Sequence, residues 1–189
     1  MQQIALVNIR DKKEIEKNLN INTDFTYIFE TYYKRVYNYI FYRVSSHHEA
    51  EDLTSQVFEK VMTKIDTYIE EKSKFEIWMF SIARNVINDY FRETKRHKVF
   101  SIDSFKDLIS NKKNPEDIVG TRETNDELLN ALKILDAREK NIIALKFGAN
   151  LKNTEIAEIM QLTESHIGVI LYRTMKRLRR ELGEGYKNE

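Results

Sequence analysis

The segment Arg173 to Arg180, RTMKRLRR, carries five basic residues and no acid. It lies in a stretch where Ile167, Ile170, Leu171, Met175, Leu178 and Leu182 recur on one side of a helix at about 100° per residue. Ser165, Val169, Arg173, Lys176 and Arg180 then point the opposite way. On a helix entering a DNA major groove, N-terminal residues such as Ser165 and Val169 meet base edges, Val169 through a thymine methyl, while the later Arg and Lys neutralise phosphates. A basic helix alone reads as a solvated surface. Here it follows a short helix, NTEIAEIM, a tight turn at Gln161-Leu162 and an N-cap at Thr163, which is helix-turn-helix spacing and favours DNA.

Two further faces carry recognition chemistry. Ser81, Arg84, Asn85, Asn88 and Arg92 share one side of an earlier helix, extended by Lys95 and Arg96. Long donors and amides at that spacing follow a phosphate backbone or bond exposed base edges. Tyr68 and Phe75 flank the loop before this helix, where rings stack on unpaired bases for roughly 1–3 kcal/mol each, although aromatics at such positions more often pack a core. Upstream, Glu49, Asp52, Gln56, Glu59 and Thr63 form a polar face that repels DNA and suits a basic protein partner. Its ordinary alternative is a solvated helix side.

His47 and His48 stand beside acids, but adjacent histidines diverge and no i, i+4 His pair exists, so no metal site is expected. No Gly-rich phosphate loop, nucleophile elbow or other catalytic constellation is found, and an enzyme is not expected.

The elements that must position these faces are helical. Phe25, Ile28, Phe29, Tyr32, Val36, Tyr39, Ile40 and Val44 recur at spacings of three and four, which marks an amphipathic helix. Ser45 to His48 offer caps for a second helix with Ala50, Leu53, Val57, Val61 and Ile65 inward. A third buries Phe75, Trp78, Met79, Ile82, Val86 and Tyr90, with Trp78 at the centre of its apolar stripe. Leu128, Leu129, Leu132 and Leu135 form another stripe, and Ile142, Ile143, Leu145 and Phe147 belong to a helix that Gly148 stops. The expected fold is all-α, with two small helical domains and a flexible linker. The divisions are an N-terminal arm at 1–23, a first domain at 24–96, a linker at 97–122 around the only proline, Pro115, a second domain at 123–185 and a tail at 186–189.

Composition agrees. Five Gly, one Pro, 41% apolar and 32% charged residues favour helices in a soluble protein. With no cysteine there is no disulfide or thiolate metal site, and a cytoplasmic location is expected. No stretch approaches the ~20 apolar residues of a membrane span, so no membrane insertion is expected. The net charge of +1 gives no global nucleic-acid signal; the segregation of opposite charges along the chain does.

The segments HEAEDLTSQVFEKVM, FEIWMFSIARNVINDYFRETKR and EIAEIM with YRTMKRLRREL resemble, in order and separation, the extracytoplasmic-function sigma factors of bacterial RNA polymerase. The resemblance covers about residues 24–96 and 125–183, and its IARN-x-x-x-D-x-x-R run is quite specific. It implies a subunit that binds core RNA polymerase and directs it to promoter DNA. Asp52, Gln56, Phe58 and Glu59 then fall on the polymerase-binding helix. Tyr68, Phe75, Arg84, Asn85, Asn88, Asp89 and Arg92 fall on the minus-ten element, with a flipped base captured by the loop. Ser165, His166, Val169, Tyr172, Arg173, Lys176, Arg177 and Arg180 fall on the minus-thirty-five element. The resemblance also implies no cofactor, association with the nucleoid in holoenzyme, and an anti-sigma partner, often membrane-anchored. Where many members carry Lys and Arg in the recognition helix this chain has Gly168 and Ile170, so no promoter sequence carries over. The competing reading is a stand-alone dimeric helix-turn-helix regulator, which leaves the basic and amide stripe around Arg84 without a purpose.

Overall fold

The computed structural model describes residues 25–100 and 131–182, with side chains described through 96 in the first span. The expected N-terminal arm, the tail and most of the linker, with Leu128 and Leu129, lie outside the described residues.

The first unit is built from α1 (Phe25–Val44), α2 (His47–Lys64), a short 3₁₀ turn (Ile65–Thr67) and α3 (Phe75–Phe100). The aromatic spacing of α1 buries Ile28, Tyr32, Val36, Tyr39 and Ile40, the inward stripe of an amphipathic helix. Ser45 breaks α1 by taking a left-handed φ of 57°, and the side chain of Ser46 caps α2. Ala50, Leu53, Val57, Phe58 and Val61 face inward from α2. From α3 the buried set is Phe75, Ile77, Met79, Phe80, Ala83, Val86 and Ile87. Trp78, expected at the centre of that stripe, is only half-buried, against Tyr68 and Phe75 at ring-centroid distances of 5.4 and 5.5 Å. The apolar arc turns toward Ile77 and Phe80 because α3 is covered by α1, α2 and the second unit together. The helix also continues four residues past the expected boundary at Arg96.

The second unit comprises α4 (Ala137–Ile143), a π turn (Ala144–Gly148), α5 (Asn153–Met160) and α6 (Glu164–Glu181). Asp136 starts α4 with a capping box, accepting from the amides of Arg138 and Glu139 while Glu139 accepts from the amide of Asp136. The expected helix through Phe147 loosens into a π turn in which the amide of Ala149 bonds Ala144 O at 2.9 Å. At the start of α5, Glu155 accepts from the amide of Lys152 at 2.9 Å. Gln161 ends α5 in the left-handed region at φ 55°, and Thr163 caps α6 by accepting from the amide of His166 at 3.2 Å. This is the helix-turn-helix read from the sequence. Ile156, Ile167, Leu171 and Leu178 fill its core, whereas Leu182, at the end of the expected stripe, is exposed.

The two units share one buried core. No strand occurs among the described residues, and no described helix is long and apolar enough to cross a membrane.

Candidate protein and nucleic-acid interfaces

Three surfaces follow from this frame. On α2 the inward stripe leaves Asp52, Gln56 and Glu59 exposed, with Met62 beside them at 52% exposure. Asp52 Oδ2 lies 3.1 Å from His48 Nδ1 one helical turn earlier, both in solvent. Phe58 stands apart from this surface. Its ring is buried among Phe25, Phe29 and Tyr33, where it supports the helix from beneath. No group of three or more His, Cys, Asp or Glu suited to a metal ion occurs among the described residues.

On α3, Asn85, Asn88 and Arg92 are exposed in a row one turn apart. Arg92 donates to Asp89 Oδ1 at 2.8 Å, which fixes the guanidinium along the helix. Arg84 departs from the row. Its Nη1 donates to the carbonyl of Ile159 in the second unit at 3.0 Å. Tyr68 meets Phe75 edge to face at 5.4 Å, and Phe75 is buried while Tyr68 keeps partial exposure. In this conformation Tyr68 and Trp78 are the rings at the loop surface, and Phe75 packs below them.

On α6, Ser165, His166, Val169, Tyr172, Arg173, Lys176 and Arg180 are exposed on one side, as their spacing requires. Tyr172 is 71% exposed and Val169 46%. Arg177 instead donates to Glu139 Oε1 at 2.6 Å and to Ile134 O at 3.0 Å, bracing α6 against the start of α4. An open cleft of about 330 Å³ flanks this helix, lined by Lys146, Phe147, Asn153, Leu171, Tyr172, Met175, Lys176 and Arg179.

Sequence reading missed a fourth set, the side chains that join the units. Arg35 donates to Ala149 O at 2.8 Å and to Glu76 at 2.6 Å. Tyr39 donates to Asn141 Oδ1 at 2.7 Å, Arg43 to Ala137 O at 2.6 Å, and Lys74 pairs with Glu155 at 3.3 Å. Burial pushes the Tyr39 hydroxyl up to about 12 against the opposing pull of Arg43 and Arg84. Burial also holds Arg43 below its ordinary value, and neighbouring Arg84 adds to that while Tyr39 opposes it.

Two helical units thus carry an acidic helix face, an amide and arginine row, and a helix-turn-helix whose second helix is basic. Residues 28–97 match the Sigma-70 region 2 family and residues 131–180 the Sigma-70 region 4 family. The ECF RNA polymerase sigma factor BldN of Streptomyces coelicolor is 31% identical over 155 residues, 82% of this chain. The match spans 59% of that relative's own length. SigX of Bacillus subtilis is 28% identical over 163 residues, 84% of this chain and 83% of SigX.

The fold is shared with the sigma factor RpoE from Bartonella quintana, solved with the anti-sigma factor NepR, at a TM-score of 0.68 and 21% identity over 86% of this chain and 99% of that one. It is shared also with CnrH, solved with the cytosolic domain of CnrY, at 0.62 and 14% over 88% and 92%. The chain belongs to the sigma-70 family, among its extracytoplasmic-function sigma factors. Both regions are matched, whereas an operator-binding regulator needs only the helix-turn-helix.

Proposed function

We propose that this chain binds core RNA polymerase and directs initiation at specific promoters, with each surface taking one task. Asp52, Gln56 and Glu59 dock on the polymerase, and Phe58 holds their helix in shape. Asn85, Asn88, Asp89, Arg92 and, once released, Arg84 engage the minus-ten element, and Tyr68 with Phe75 frames the loop that receives an unstacked base. The exposed side of α6 reads the minus-thirty-five element, with Ser165, His166 and Val169 nearest the base edges and Tyr172, Arg173, Lys176 and Arg180 toward phosphates. Arg177 serves region 4 internally through Glu139. The observation that carries the reading is that one chain matched over both sigma regions exposes an acidic face and two faces rich in amides and basic groups on separate helices.

Strand separation draws on binding energy, with no cofactor and no catalytic group. The site of action is the cytoplasm, on the nucleoid when the chain is in holoenzyme. Because two neighbours of the same fold were solved with the anti-sigma factor NepR and with the cytosolic domain of CnrY, an anti-sigma protein, membrane-anchored or free, is the regulatory partner to expect.

The division of labour is tested by separating polymerase binding from promoter opening. Asp52→Ala and Gln56→Ala weaken association with core polymerase, while Asn85→Ala and Arg92→Ala leave association intact and slow opening. Finding the two sets interchangeable in both assays refutes it.

A further inference from the structure

The two halves of α6 differ in chemistry. From Glu164 to Tyr172 there is no Lys or Arg, and the exposed side chains are Glu164, Ser165, His166, Val169 and Tyr172. Arg173, Lys176, Arg179 and Arg180 follow, all exposed. Cations on phosphates hold a recognition helix in place but carry no sequence information, whereas its N-terminal half reaches the base edges. Guanine is most commonly read by a bidentate Arg or Lys on O6 and N7, and that half offers neither. Its central exposed group is the isopropyl of Val169, 46% exposed. The base-edge feature that such a group recognises is the 5-methyl of thymine.

Gly168, the neighbour of Val169, is not required by the fold. It sits inside the helix, and a Cβ added there would meet nothing within 4 Å, so neither backbone conformation nor packing calls for a glycine. In a helix interior glycine is less stable than alanine. A bare backbone does have a use where another molecule must come close. On the helix surface Ser165 lies one turn before Gly168 and Tyr172 one turn after it, so the missing side chain leaves a notch between them, beside Val169. Arg173, Lys176 and Arg180 continue the exposed side of the helix, which favours a polyanion as the occupant over an apolar protein groove.

We propose that Gly168 and Val169 are the specificity-determining pair of α6: Gly168 lets the major-groove edge of a base pair approach the helix backbone, and Val169 then packs on a thymine 5-methyl. The upstream element is selected at that position for thymine and against guanine. The proposal rests on the reading of α6 as the minus-thirty-five contact and adds the base that it selects.

Immobilised core polymerase carrying the full chain is used to capture duplexes from a random-sequence library. The recovered duplexes are expected to share a thymine in their upstream element. Uracil at that position, which lacks only the methyl, weakens capture about fourfold, the effect of burying one methyl group. Val169→Ala lowers capture of the thymine duplex to the uracil level and makes the two equal. Gly168→Ala weakens capture of both about tenfold, the effect of forcing one more carbon into a close contact, while its urea midpoint rises. A purely structural role would move stability and capture in the same direction.

Recovered duplexes with no shared thymine, or with a guanine in its place, overturn the proposal, as does a thymine–uracil difference that survives Val169→Ala. Capture by the Gly168→Ala form as strong as by the parent overturns the role of Gly168. The initiation reading fails separately, through an absence of new transcripts with the same holoenzyme, and a thymine–uracil difference abolished by Val169→Ala would still sustain the pair.

Discussion

Glu139 accepts from Arg177 at 2.6 Å through one carboxylate oxygen and from the amide of Asp136 at 3.0 Å through the other. A single side chain thus completes the α4 cap and braces α6 against it, and Thr174 adds a longer contact to the same oxygen at 3.5 Å.

Glu139→Ala is expected to cost region 4 about 2 kcal/mol, most of it from the lost capping box and the remainder from a partly exposed ion pair. Urea unfolding followed by circular dichroism checks this. Glu139→Gln, which can still reach the Asp136 amide, should recover most of it.

Gly168 stands in the first turns of α6, and a Cβ added there meets nothing within 4 Å. Its cost is therefore one of backbone freedom alone. Gly168→Ala should raise stability by about 0.5–1 kcal/mol, read as a higher urea midpoint with an unchanged slope. A decrease would mean that the bare backbone at this position makes a contact in the folded chain.

Tyr39 links pH to stability in the alkaline range. Its folded hydroxyl is pushed up to about 12 from an ordinary 10.0, chiefly by burial. A group whose folded pKa is raised contributes fully below the unfolded value and loses that contribution as pH climbs through the folded one. Stability is expected to fall between about pH 10 and pH 12 by roughly 2 kcal/mol. Tyr39→Phe, less stable at neutral pH for want of its bond to Asn141, should flatten that decline. An equal slope in both proteins would assign it to other tyrosines.

Most of the helical frame was legible because it is periodic. The spacing of Ile28, Tyr32, Val36 and Tyr39 gave α1 its inward face, and Thr163 and the run from Ile167 to Leu178 gave the helix-turn-helix its geometry. Phe147 was not legible. It was placed on an apolar helix face, but the π turn over Ala144–Gly148 winds more residues into each turn, and Phe147 is carried outward to 51% exposure. Gly148 ends the helical run as its reading as a stop requires, but its want of a side chain also serves a contact with α1, which local spacing does not encode. The same holds for Arg84 and Arg177. As basic residues near predicted DNA faces both read as nucleic-acid contacts, and their acceptors, Ile159 and Glu139, lie 75 and 38 residues away in the chain.

The most direct test of the account is run-off transcription from fragmented genomic DNA of the source organism, with core RNA polymerase alone, with this chain added, and with its Asp52→Ala, Gln56→Ala form. The account predicts discrete new transcripts that require the chain and weaken strongly with the double variant. Absence of new transcripts with a folded, inhibitor-free protein would contradict it.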